Sequence, residues 1–222
     1  LIPEYVSGYG LTKHFEGAFA SSPEDGKVAK MTLRMFKPGD SKMCADIREA
    51  LLKCGIKDGM TVSFHHHLRE GDAVVGMCMD VMKDLGIKSL TLAPSALFSV
   101  HNALLPLIKD GTVRNIEGSM NGPIGKMASL GGMKDTCVLR SHGGRVRAIY
   151  QDDLPIDIAV IAAPTADAYG NATGVMGKSA CGPLAYSHAD SLFAKKVIVV
   201  TDNLVPHPCS PIAISQANVD YV

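Results

Sequence analysis

The densest run of chemistry-bearing side chains is Phe64-His65-His66-His67-Leu68-Arg69-Glu70-Gly71-Asp72. An arginine grips a carboxylate through two parallel hydrogen bonds, and a histidine donates a hydrogen bond or moves a proton near neutral pH. Three imidazoles beside a guanidinium therefore suit a loop that binds a small anion and polarises a carbonyl. Read alone, the run also admits an expression tag, a surface loop with chance histidines, or a zinc site. A tag does not belong at an internal strand end. In an extended chain adjacent side chains alternate faces, so a single ion does not collect all three imidazoles. No obvious Cys or carboxylate pair at helical spacing completes a zinc set, and no metal is expected.

Three further loops carry weaker signals. In Ser119-Met120-Asn121-Gly122-Pro123-Ile124-Gly125, Asn121 offers an amide with donor and acceptor, and Gly122 allows close backbone approach; a plain turn reads the same. In Ser141-His142-Gly143-Gly144-Arg145, Gly143 and Gly144 free backbone N–H groups and Arg145 adds charge, as a hairpin turn also would. In the stretch from Ala163 to Gly174 the hydroxyls lack a nearby base. A structural turn, with Asp167 bonding backbone and Gly170 at positive φ, reads as well as a functional loop. No Gly-x-Gly-x-x-Gly follows the first strand, and neither a P-loop nor a Gly-x-Ser-x-Gly elbow is present.

These loops need a frame, and apolar periodicity supplies one. Met43, Ile47, Ala50, Leu51 and Cys54 form one helical face, with Ser41 as the expected N-cap and Gly55 as the stop. A strand is predicted over 60–64, a helix over 72–85 ended by Gly86, and a strand over 89–93. A helix over 99–109 carries Pro106 as a possible break, and a strand follows over 112–117. Residues 136–141 and 145–150 read as further strands. The β-branched run 156–163 fits a strand covered on both faces, and a helix over 184–194 precedes a strand over 196–201. Alternating strands and helices predict an α/β fold, a largely parallel sheet covered by helices, with ligands gathered at the carboxyl ends of the strands.

Composition narrows the function classes. At 222 residues the chain corresponds to roughly one and a half domains. Lys plus Arg balances Asp plus Glu at 22 each, so no net field draws it to nucleic acid or to an anionic membrane. No apolar run spans a bilayer, and the first residues do not form a signal peptide. Cys44, Cys54, Cys78, Cys137, Cys181 and Cys209 are scattered singly and read as reduced thiols of a cytoplasmic protein. The opening without Met and the stop at Val222 read as an interrupted chain.

The order of these loops resembles the citrate lyase alpha-subunit family within the class I CoA-transferase superfamily. The stretch from Thr61 to Asp72 carries the specific likeness. Asp157-Ile158-Ala159, Ala166-Asp167 and Gly170-Asn171 match the wider pattern, an Asp-x-Ala strand followed by Ala-Asp-x-x-Gly-Asn. The likeness runs from Tyr5 onward. It implies a CoA-transferase-like fold, of a kind shared with sugar-phosphate isomerases, and two such domains with the site between them. Residues 1–40 are then an N-terminal extension, 41–205 the first domain, and 206–222 a linker or the opening of a truncated second domain. The glutamate that many relatives use as a covalent carrier cannot be assigned here.

The resemblance also implies a citrate:acetyl-carrier transferase that yields acetate and citryl-carrier. The CoA-like phosphoribosyl-dephospho-CoA arm would come from the acyl carrier (gamma) subunit, with no cofactor covalently bound to this chain. A citryl lyase (beta) subunit and a homo-oligomer within a larger complex complete the expected partners. On that basis Arg69 with one or two of His65, His66 and His67 binds citrate and polarises the reacting carbonyl. Asn121, Gly122, Gly143 and Gly144 supply amides, and Arg145 contacts a carboxylate or phosphate. Asp167, Gly170 and Asn171 shape the floor. Two rival functions are a sugar-phosphate isomerase and a non-catalytic scaffold that docks the carrier, for which Met31, Met35 and Met43 are surface candidates.

Overall fold

The computed structural model of the chain describes residues 3–6, 10–12, 28–37, 39–65 and 71–222. A short antiparallel pair, β1 (Tyr5–Val6) and β2 (Gly10–Leu11), comes first. Then follow α1 (Ile47–Lys53), β3 (Thr61–His65), α2 (Val74–Asp84), β4 (Leu90–Pro94), a 3-10 turn (Ser99–His101), α3 (Leu104–Lys109) and β5 (Val113–Gly118). After these come α4 (Gly122–Ser129), β6 (Val138–Leu139), α5 (His142–Tyr150), β7 (Ile158–Ala162), β8 (Thr165–Asp167) and β9 (Ala172–Thr173). The last are α6 (Ala185–Phe193), β10 (Lys196–Val200) and β11 (Leu204–Val205).

Six strands form one parallel sheet in the order β10-β7-β3-β4-β5-β6. The chain starts this sheet at β3, builds outward through β6, then returns to lay β7 and β10 on the other side. The order therefore reverses between β3 and β7, and such a switch point opens a crevice at the carboxyl ends of the two strands. A second sheet, β11-β8-β9, follows directly from the ends of β7 and β10. Among the described residues no helix is long and apolar enough to cross a membrane.

The two-residue period of a strand divides the core. Val62, Phe64, Leu92, Ile158, Val160 and Ile198 face one side and pack with Leu51, Cys78, Met82 and Leu107 from α1, α2 and α3. Ala93, Ala159, Ile161, Val197 and Val199 face the other, against Ala148 and Ile149 of α5 and Ala189 of α6. By the same alternation Ser63 and His65 belong to the second side, so the two polar residues of β3 are directed under α5 and α6.

Local chemistry explains where the elements depart from the expected ones. Helix α1 begins at Ile47 because Asp46, not Ser41, caps it; the Asp46 carboxylate accepts the Glu49 N–H at 2.8 Å, while Glu49 accepts the Ala45 N–H at 2.7 Å. Together these two bonds outcompete a lone serine. Residues 145–150 are helical, not a strand. Ser141 caps α5 by accepting the Gly144 N–H at 3.1 Å, and Arg145, Ala148 and Ile149 share its buried face at helical spacing. Residues 122–129, read as part of a loop, form α4 with proline in its first turn. Pro106 sits in the first turn of α3, where a missing N–H breaks no intrahelical bond.

Two segments outside the sheet, one before it in sequence and one after, lie against this domain. Ala29 and Thr32 donate to the Tyr150 and Leu192 carbonyls at 2.8 and 2.9 Å, which straps residues 28–36 across α5 and α6. Residues 206–222, expected as a linker or second-domain opening, pack onto this domain. Cys209, Ile214 and Val219 are buried, and Tyr221 accepts from Val199 at 2.9 Å along the outer edge of β10. Asp220 ties the two segments together, accepting from Arg34 Nε at 2.7 Å and Lys196 Nζ at 3.1 Å.

Candidate functional site

All six parallel strands point their carboxyl ends to one edge, so every loop singled out in the large sheet emerges there. At the switch point a cavity of about 290 Å³ is lined by Gly71–Val74 and Met77, by Ala162–Pro164, by Val200–Asp202 and by Ser179. The N-terminus of α2 forms one wall, and the strand ends of β7 and β10 form the opposite one. Asp72 anchors that wall. Its Oδ1 accepts the Val74 N–H at 3.0 Å and its Oδ2 lies 3.0 Å from His101 Nε2. His101 Nδ1 accepts the Phe98 N–H at 2.9 Å, so Nδ1 carries no proton and Nε2–H donates to the aspartate.

His65 ends β3 and is 2% exposed. Its Nε2 is 2.7 Å from Asp190 Oδ2, off the line of a well-aligned hydrogen bond, and its Nδ1 has no hydrogen-bond partner among the described residues. Asp190, on the buried face of α6, is also held by Arg145 of α5: Nη1 donates to Oδ2 at 2.9 Å and Nη2 to Oδ1 at 2.7 Å. Arg145 Nη2 further reaches the Ala93 carbonyl at 2.8 Å, and the Ser63 hydroxyl bonds Asp190 Oδ1. Burial pushes the Asp190 carboxyl up, but the His65 and Arg145 charges outweigh it and hold the acid well below the usual carboxylate range. The result is a dry, charged post beneath the carboxyl end of β3.

This arrangement reassigns Arg145. Expected to contact a substrate carboxylate or phosphate, it is buried and its fork is committed to Asp190 and to backbone. Gly143 and Gly144 lie in the first turn of α5, and the Gly144 N–H already donates to Ser141. Asn121 and Gly122 line a different cavity, of about 750 Å³, with Gly125, Cys137 and Leu139. It lies beside β5 and β6, on the order of 10 Å along the sheet from β3. The structure thus places the expected amides at one edge but spreads them along it. His66, His67 and Arg69 lie outside the described residues.

Asp167, Gly170 and Asn171 sit in the turn between β8 and β9. Asp167 Oδ1 accepts the Tyr169 and Asn171 N–H groups at 2.9 and 3.1 Å, and Gly170 has φ +99°. Burial raises the Asp167 carboxyl, yet the Cys209 N–H, the Asn171 amide, His207 and the Tyr169 N–H more than offset it and hold it at about 2. Burial pushes the Cys54 and Cys78 thiols up to about 12, which removes both as thiolate nucleophiles at neutral pH.

Sequence reasoning missed Ser63, Asp72, His101, Asp190 and His207. Asp190 had a signal: with Ser187 and Ser191 it makes a polar i, i+3, i+4 set on the inward face of α6. A polar stripe on a buried helix face demands partners elsewhere in the fold.

Residues 40–222 match the family model for the alpha subunit of citrate lyase. The citrate lyase alpha chain of Escherichia coli (strain K12) is 41% identical over 206 residues, covering 92% of this chain and 39% of that relative. A solved chain from Streptococcus mutans, described as an alpha subunit of citrate lyase in complex with citrate, superposes with TM-score 0.87 at 44% identity over 99% of this chain and 42% of its own. Glutaconate coenzyme A-transferase from Acidaminococcus fermentans shares the fold at TM-score 0.56 and 14% identity, over 82% of this chain and 75% of its own. The chain thus spans about two fifths of the curated relative's length. With the family model matched along its α/β domain, the chain belongs to the citrate lyase alpha-subunit family.

Proposed function

We propose that this domain contributes the citrate-binding half of an acyl-carrier transferase. A citrate carboxylate attacks an acetyl thioester on a carrier protein, which releases the thiolate and forms a mixed anhydride. The thiolate then attacks the citryl carbonyl, giving citryl-carrier and acetate. The thioester arm is a substrate brought by the carrier (gamma) subunit, and a beta subunit cleaves the citryl product, within a cytoplasmic complex.

The observation that supports this reading most is the switch-point cavity, lined by Gly71 and Asp72 directly after the imidazole-rich segment in sequence. Its volume of about 290 Å³ is at the lower limit of the ~300–1,000 Å³ usual for small-molecule sites. That admits a small polycarboxylate, not a whole CoA-like arm, which fits an arm entering from outside. Among the described lining residues the charged groups are Asp72 and Asp202, both acidic. Charge balance for a trianion therefore falls to Arg69, His66 and His67. Chemically, the reaction needs cations for citrate and donors for tetrahedral oxyanions, each such donor worth ~3–4 kcal/mol in the transition state.

Isotope exchange tests the proposal. Labelled acetate is incubated with the full-length subunit and citryl-carrier, and isotope entering the carrier thioester supports transfer. A carrier that binds but acquires no label leaves a docking scaffold instead.

A further inference from the structure

Beyond the carboxyl end of the large sheet, the structure holds a third histidine–carboxylate pair that the reading above does not use. Asp167, on β8, is fully buried, and its Oδ2 accepts the Cys209 N–H at 2.8 Å and the Asn171 amide at 2.9 Å. His207 Nδ1 lies 3.0 Å from that oxygen, and the imidazole side chain is 41% exposed. The Tyr169 ring covers one side of it at 4.6 Å between centroids.

Counting hydrogens fixes the tautomer. Asn171 Nδ2 has two, spent on Asp167 Oδ2 and on Gln216 Oε1 at 3.1 Å, so none is left for His207 Nδ1 at 3.4 Å. An ionised carboxylate only accepts, and Asp167 is held at about 2. His207 must therefore carry its proton on Nδ1 and donate to Asp167. Nε2, with no partner among the described residues, is the working end of the ring. A buried carboxylate that orients an exposed imidazole is the arrangement by which histidines move protons in acyl-transfer sites.

We propose that His207, positioned by Asp167, is a proton-transfer residue that serves the sulfur of the thioester substrate. As the carbon–sulfur bond of the acetyl thioester breaks, imidazolium Nε2–H gives its proton to the departing thiolate, leaving a thiol and a neutral ring. When the sulfur attacks the citryl carbonyl, Nε2 takes the proton back. The cycle returns the ring to its starting state and consumes no other reactant. The inference rests on the proposed transferase reading.

Two measurements test it. In the full-length subunit in its complex, with citrate as acceptor, acetyl thioesters of pantetheine and of thiophenol are compared as donors. An aryl thiolate is stable enough to leave unprotonated. His207→Gln is expected to slow the pantetheine thioester by at least about 100-fold and to leave the thiophenyl ester near wild type. Equal slowing of both, or no slowing, overturns the inference while leaving the transferase reading intact. Wild-type enzyme that transfers from neither donor overturns that reading, and this inference with it. Independently of any variant, the ring ¹⁵N shifts of His207 in alkaline buffer are expected to show the Nδ1–H tautomer, and the Nε2–H tautomer overturns the assignment.

Discussion

Replacing Arg145 by methionine keeps most of the aliphatic bulk and removes the fork that neutralises Asp190. In the intact chain Arg145 is 2% exposed and donates to both Asp190 oxygens at 2.9 and 2.7 Å, and to the Ala93 carbonyl at 2.8 Å. The variant leaves a buried carboxylate facing only Ser63 and His65. Breaking one side of a buried pair costs ~3–5 kcal/mol, against a total stability of ~5–15 kcal/mol for a domain. With a urea dependence of ~1–3 kcal/mol per molar, the unfolding midpoint should fall by roughly 1–5 M. Arg145→Met/Asp190→Leu removes both charges and should recover much of the loss, which reveals a coupling energy in a double-mutant cycle. Urea melts of the chain and its three variants supply the numbers. If Arg145→Met stays within ~0.5 kcal/mol of the parent and loses citrate affinity instead, Arg145 is an open anion contact and the buried network is wrong.

The remaining predictions are independent of that network. Arg69→Ala in the assembled enzyme should depress transferase turnover at least about tenfold, or ~1.4 kcal/mol; full activity removes Arg69 from the site. Asp167 titrates at about 2 when folded, against ~3.9 unfolded, so the folded state binds this proton less readily. Its contribution of roughly 2.6 kcal/mol is complete above about pH 4 and is lost as the pH falls through about 2. Acid unfolding followed by circular dichroism should therefore be steeper in the parent than in Asp167→Asn, and identical acid limbs contradict the assignment. Gly170→Ala should destabilise by more than ~1 kcal/mol, because φ is +99° and the new Cβ would sit 2.8 Å from Val219; an unchanged thermal midpoint refutes it.

The sheet was legible because its strands announce themselves. Val62, Phe64, Ile158 and Val160 are β-branched or aromatic and recur in the runs from which β3 and β7 formed. The helices next to them carried clear apolar stripes. Residues 145–150 misled because Val146 lies between Arg145 and Arg147 and Ile149 and Tyr150 suit a strand, while the Ser141 cap that commits the segment to a helix lies outside it. The site was legible only in part, for a physical reason. His65 could be singled out from its neighbours, but Asp190, 125 positions away in sequence, meets it only through the packing of α6 on the sheet. Arg145 has the look of an anion contact until that packing supplies its counter-ion. Asp167 and Asn171 were easier because a turn satisfies itself locally, whereas His207 arrives from a distant segment.

A crystal structure of the full-length subunit soaked with citrate addresses the central claim most directly. The account predicts citrate density at the carboxyl ends of β7 and β10, against the first turn of α2 and within hydrogen-bond reach of Arg69. Citrate bound elsewhere, with that crevice filled by ordered water, contradicts it.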